Sequence, residues 1–148
     1  MSNSRIIIEN AHQYTQQLVN GNIIFTRINT TPYIDRNSLF EKNLRNSNII
    51  ECKINNINTN QYKYKSLLLF LYKNINNREL IIQQTNLNIV PYEKHNAGFT
   101  YYREFNFSIQ GADARSTLKE IINMVNIMNY NMELKIQLQD GEILHFNI

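Results

Sequence analysis

Tyr62-Lys63-Tyr64-Lys65-Ser66-Leu67-Leu68-Leu69-Phe70-Leu71-Tyr72-Lys73 holds the longest apolar run of the chain, and its reading sets the fold. Taken as a strand, it alternates. One face carries Tyr62, Tyr64, Leu68, Phe70 and Tyr72; the other carries Leu67, Leu69 and Leu71, flanked by Lys63, Lys65 and Lys73. Both faces are apolar in the middle, as in a central strand covered on both sides. The run has strand length and falls far short of the ~20 residues of a membrane span.

On either side the pattern extends this reading. Residues 74–78 form a turn, and residues 79–85 are expected to return as a hairpin partner. Upstream, residues 49–54 alternate, with Ile50, Cys52 and Ile54 on one face and Glu51 and Lys53 on the other. A polar loop spans 55–61. Ser38 and Glu41 have the spacing of a capping box and open a short helix to about residue 46. Residues 22–28 read as a strand, interrupted by Thr30-Thr31-Pro32. Before it, Ile7, Ala11, Tyr14 and Leu18 fall at helical spacing behind Ser4, and Asn20-Gly21 is a suitable helix stop; the alternative reading is that Ile6-Ile7-Ile8 opens a strand.

Downstream, residues 86–100 are the longest irregular stretch, containing Pro91, His95 and Gly98. Residues 101–109 read as a strand, with Phe105, Phe107 and Ile109 on one face. Thr117 and Glu120 repeat the capping-box spacing ahead of a stripe of Leu118, Ile121, Ile122, Val125 and Met128. The chain ends in a hairpin: Met132, Leu134, Ile136 and Leu138 alternate with polar residues, Asp140-Gly141 suits a type I′ turn, and Leu144, Phe146 and Ile148 return. The expected order is helix, strand, helix, three strands, strand, helix, two strands. That is an α+β fold: one domain over residues 1–148, with a mostly antiparallel sheet of about six to seven strands and two to three helices packed against it.

Composition frames what this fold can do. Asn and Ile, at 25 and 22 residues, dominate a chain with four Gly and four Ala. Usage this far from the norm points to an AT-rich gene, of the kind found in viruses and mobile bacterial elements. Ile, Tyr and Phe supply a core, so the chain is not of the disordered class. Asn substitutes in turns and helix ends for Gly, Ser, Asp and Lys. The net charge of +3 is mild, and the 15 basic residues are scattered rather than gathered in a patch. With one cysteine, neither an internal disulfide nor a cysteine-based zinc site can form. The amino terminus reaches Glu9 before an apolar signal core develops, which implies the cytoplasm of a bacterium or an infected host cell.

Chemistry is sparse. His12, His95 and His145 fall in no metal-binding spacing, so neither a metal nor another cofactor is expected. Four glycines do not build a phosphate loop. Cys52 with His95 imitates a thiol–imidazole pair, but Cys52 reads as core. His95, His145 and Lys94 are the residues a metal-independent RNA-processing enzyme would use as acid, base and cation. Asp113-Ala-Arg115-Ser-Thr117 opens a helix and reads as self-capped. Tyr62-Lys-Tyr-Lys65 interleaves aromatic and cationic residues, but a strand puts the two types on opposite faces. Gly98, Phe99 and Tyr101 match the RNP1 box of RNA-recognition motifs, whereas Ala97, Thr100 and Glu104 depart from it.

These features favour a non-enzymatic binding protein. In size, composition and the strand–helix–hairpin ending over residues 101–148, the chain resembles the immunity proteins of bacterial polymorphic (contact-dependent inhibition type) toxin systems. That resemblance implies a protein partner, a cognate toxin domain neutralised by direct binding, with no membrane partner. A viral or phage accessory protein that binds a host protein or nucleic acid has the same base bias, and nucleic acid stays open as a partner. The expected contact residues are Tyr92, Glu93, Lys94, His95 and Tyr102, large amphipathic side chains in or beside the long loop.

Overall fold

The computed structural model describes the backbone of residues 4–9, 12–28 and 32–148, and the side chains of residues 18, 20–23 and 32–148. The expected α+β class holds: four helices and ten strands alternate among the described residues. The strands divide into three antiparallel sheets, and the chain into two compact units, Met1–Tyr33 and Ile34–Ile148.

The first unit is a three-stranded meander of β1 (Ser4–Glu9), β2 (His12–Val19) and β3 (Asn22–Ile28). This corrects the helix expected over residues 4–20; β3 lies where the sequence put it. Asn20 and Gly21 both take positive φ, at 51° and 80°, and Val19 pairs with Asn22. Asn-Gly is therefore a two-residue hairpin turn of type I′, whose twist matches the flanking strands, and not a helix stop. Ala11 and Thr30-Thr31 lie outside the described residues.

In the second unit, α1 (Arg36–Glu41) is capped by Asp35, whose Oδ1 accepts from the Ser38 amide at 2.7 Å. The capping box assigned to Ser38 and Glu41 thus gives way to an Asp one turn earlier. β4 (Asn48–Ile54) pairs with β9 (Met132–Gln137), but a bulge falls between Ile49 and Glu51. One extra residue flips the phase of the strand. Ile49 and Cys52 point inward, 2% and 1% exposed, and Ile50 points out at 39%. The expected face of Ile50, Cys52 and Ile54 is broken there, though Cys52 remains core. A four-stranded sheet β10-β9-β4-β5 is completed by β5 (Ile57–Asn58) and β10 (Ile143–Asn147).

The decisive run is a helix. α2 (Tyr64–Ile75) buries Tyr64, Leu67, Leu68, Leu71, Tyr72 and Ile75, at steps of three, one, three, one and three. That is a 3.6-residue period, not a period of two. Residues 78–84 then form α3 (Arg78–Gln84) instead of a returning strand. Asn76 ends α2 in the left-handed conformation at φ 48°, and Asn77 caps α3 through its side chain.

β6 (Ile89–Val90), β7 (Phe99–Tyr102) and β8 (Phe107–Gln110) make a second sheet in this unit, in the order β6-β8-β7. The single strand expected over 101–109 is two strands joined by a tight turn, with Asn106 at φ 50°. α4 (Ala114–Ile127) is capped by Asp113, which accepts from the Ser116 amide at 2.7 Å. The Thr117 hydroxyl donates back to the Asp113 carbonyl, so Thr117 is not the cap. The terminal hairpin forms as expected, with Leu134, Ile136, Leu144 and Phe146 buried. Its turn differs. The Gly141 amide donates to Leu138 and the Leu138 amide to Glu142, with Gly141 at φ 93°. This is a three-residue loop ending in a glycine bulge, since Asp140 does not take positive φ.

One core runs through the second unit, from Leu39 and Phe40 on α1 to Phe146 on β10. No helix among the described residues is long and apolar enough to cross a membrane. Among the described residues, eight of the nine non-glycine residues at positive φ are Asn, the ninth being Ala97. Asn tolerates this conformation better than other L-residues. In a chain with four glycines it takes glycine's place at turns and helix ends.

Candidate functional site

The β6-β8-β7 sheet has two faces with different fates. Register places Thr100 and Tyr102 opposite Ile109 and Phe107, and these share the face turned to the core. Phe99 and Tyr101 lie opposite Gln110 and Ser108 on the other face. The β6–β7 loop folds across that second face and is fastened to it. The fully buried Ser108 hydroxyl donates to the Tyr92 carbonyl at 2.7 Å and accepts from the Lys94 amide at 2.8 Å. Gln110 Nε2 donates to the Ala97 carbonyl at 3.0 Å, and the Gly111 amide to the Gly98 carbonyl at 2.9 Å.

Arg78, at the start of α3, holds the near end of the loop. Its Nε donates to the Phe105 carbonyl at 3.0 Å, and its Nη2 to the Pro91 and Asn106 carbonyls at 3.0 and 2.9 Å. One planar guanidinium thus joins a helix, the loop entrance and the β7–β8 turn, a task suited to its rigid fork of donors. Ala97 occupies the left-handed region at φ 56° with a Cβ, a strain of roughly 1–2 kcal/mol that the surrounding bonds sustain.

The five expected contact residues separate on this frame. Tyr92, Glu93 and His95 are exposed on the loop, and the His95 Nε2 lies 2.9 Å from Glu93 Oε1. The His95 ring meets Tyr101 edge-on at 6.0 Å. Lys94 is half-buried, its ammonium 4.4 Å above the Phe99 ring. Tyr102 faces the opposite side of the sheet, beneath the Lys65 ammonium of α2 at 5.6 Å. The structure therefore brings together Tyr92, Glu93, Lys94 and His95, adds Phe99 and Tyr101 to them, and separates Tyr102.

The other chemistry-bearing residues are placed as follows. Cys52 is buried, and burial pushes its thiol up to about 11, so it stays protonated and unreactive at neutral pH. His145, on β10, lies opposite Lys135 in the four-stranded sheet, whereas His95 is on the β6–β7 loop. His12 is in β2, and its side chain lies outside the described residues. Among the described residues no three of His, Cys, Asp and Glu gather as metal ligands. Tyr62-Lys-Tyr-Lys65 enters α2: Tyr64 is buried with its hydroxyl 2.6 Å from Ser47 Oγ, while Tyr62 and the two lysines are exposed. Asp113 serves the α4 amides, which hold its carboxyl below the ordinary value.

Glu120, read as half of a capping box, is instead fully buried. It accepts from the Tyr72 hydroxyl at 2.6 Å, the Thr85 hydroxyl, the Asn86 amide at 3.1 Å and Asn123 Nδ2 at 3.1 Å. A buried carboxylate is tolerable only with donors of this kind. It links α4 to α2 and to the end of α3, and so positions the helices beneath the sheet. Neither Glu120 nor Arg78 carries a local sequence signal: apart from the neighbouring Asn123 and Glu79, their partners lie 13 to 48 residues away. Comparison of this chain with models of protein families, with curated proteins and with solved structures finds no match.

Proposed function

We propose that the chain is a non-enzymatic protein-binding module acting in the cytoplasm, and that it is an immunity protein that neutralises a cognate toxin domain by direct contact through the loop-covered face of the β6-β8-β7 sheet. One observation carries this reading. Tyr92, 55% exposed, and its neighbours Glu93 and His95 project from a backbone already fixed by Ser108, Gln110 and Arg78. A loop ordered before contact avoids much of the entropy cost of association. Tyrosine is among the residues that dominate interface energies, and a mixed acid–imidazole rim supplies orientation. The Glu93–His95 pair is exposed on both sides and contributes less than about 1 kcal/mol to the fold, which leaves it available to a partner.

The test is co-expression with the toxin domain encoded beside the gene. The expected result is a stable complex and protected cells, with Tyr92→Ala weakening binding by about tenfold or more while the melting temperature is unchanged. Undiminished binding in Tyr92→Ala would remove the loop from the interface. Recovery of nucleic acid alone would overturn the protein-partner reading.

A further inference from the structure

The core-side face of the β6-β8-β7 sheet is not fully closed. Between it and α2 lies a cleft of about 110 Å³, open on one side, floored by Leu68, Leu69, Leu87 and Ile109. Tyr102 forms one wall, and Lys65 stands at the rim with its ammonium over the Tyr102 ring. Among the described residues no carboxylate lines the cleft, and Lys65 takes part in none of the ion pairs they form. Thr100, Gln110 and Thr117 also line it, and the Gln110 amide and the Thr117 hydroxyl already donate to the Ala97 and Asp113 carbonyls. A dry apolar cavity of roughly 150 Å³ accepts a benzene ring, so this smaller cleft takes a short branched chain whose polar end lies at the open side. A phosphate dianion would call for several converging donors, whereas one lysine matches a monoanion.

We propose that this cleft is a binding site for a small organic acid, its short branched body lying on Leu68, Leu69, Leu87 and Ile109 and its carboxylate meeting the Lys65 ammonium. An apolar floor with a small number of placed polar groups is the usual form of a small-ligand site. The cleft opens on the opposite face of the sheet from Tyr92 and His95, so it stands independently of the protein-docking surface.

Amide NMR spectra of the full chain, titrated with isocaproate and with uncharged isocaproamide, test this directly. Isocaproate is expected to shift the Thr100 and Gly111 amides saturably, with a Kd on the order of 1 mM. Isocaproamide is expected to bind about fivefold more weakly, the size of an exposed ion pair. Lys65→Met, at an exposed position, is expected to keep its melting temperature and to weaken isocaproate to the level of the amide. Three results would each overturn the proposal: no saturable shift at those amides up to roughly ten times that concentration, equal binding of acid and amide, or undiminished isocaproate binding by Lys65→Met.

Discussion

Two buried side chains show how single residues govern this molecule. The Glu120 carboxylate is fully removed from water, and the Tyr72 hydroxyl donates to it at 2.6 Å. Removing that hydroxyl leaves the carboxylate under-satisfied in a medium of low dielectric. Tyr72→Phe is therefore expected to cost about 2 kcal/mol in urea unfolding, although the ring still packs edge-on against Phe105 and Phe107. A loss below about 0.5 kcal/mol would show that the bond does not support the core. Cys52 acts through pH. Its thiol is raised from 9.0 to about 11 by burial, so the folded chain holds a proton that the unfolded chain releases first. Its contribution is fully present below pH 9 and is lost as pH rises from about 9 to about 11, amounting to about 2–3 kcal/mol. Tyr64 and Tyr72 are raised by burial as well and act in the same direction. Stability measured from pH 8 upward should fall less steeply in Cys52→Ala than in the parent chain; parallel curves would contradict the shift. Burial of Cys52 was legible from its place among alternating apolar residues. The Glu120 cluster was not, because Thr85, Asn86 and Tyr72 reach it only once three helices have packed.

Among elements, α2 shows where periodicity stops being informative. Residues 67–72 are apolar at every position, so a period of two and a period of 3.6 fit equally well. What separates them is residue type. The run contains four Leu and no β-branched residue, and Leu is a strong helix former. The first unit shows the converse. Ile6-Ile7-Ile8 favours strand chemistry, and Asn20-Gly21 is the preferred hairpin dipeptide, yet an accidental four-three-four spacing imitated a helix. The terminal hairpin and α4 were legible because their alternating and helical patterns are clean. The β6–β7 loop has its own test. Ala97 is held at φ 56°, so Ala97→Gly should stabilise the fold by about 1 kcal/mol and leave the partner surface intact. A destabilising Ala97→Gly would mean that the methyl group packs more than it strains. Of the expected contact residues, four share this loop and were readable as a group. Tyr102 was not, since its face depends on the register of β7 against β8.

At the scale of the whole molecule, the apolar core of the described residues lies within Ile34–Ile148, joining α1, α2, α3 and α4 to the four-stranded sheet and β8. A chain of residues 34–148 is accordingly expected to fold cooperatively, with slow amide exchange retained in α4, β4 and β9. Loss of cooperative unfolding in that truncation would show that the first unit is needed for the second to fold. The sequence by itself determined the α+β class, the supply of core residues and the sites where Asn stands in for Gly, because these depend on composition and on neighbours a few positions apart. Tertiary structure alone decided that one bulge turns Ile50 outward. It also decided that Arg78 fastens a distant loop, and that Tyr102 belongs to a cleft and not to the surface of Tyr92 and His95. Each of these depends on contacts between residues far apart in the chain, and no local pattern of side chains encodes them.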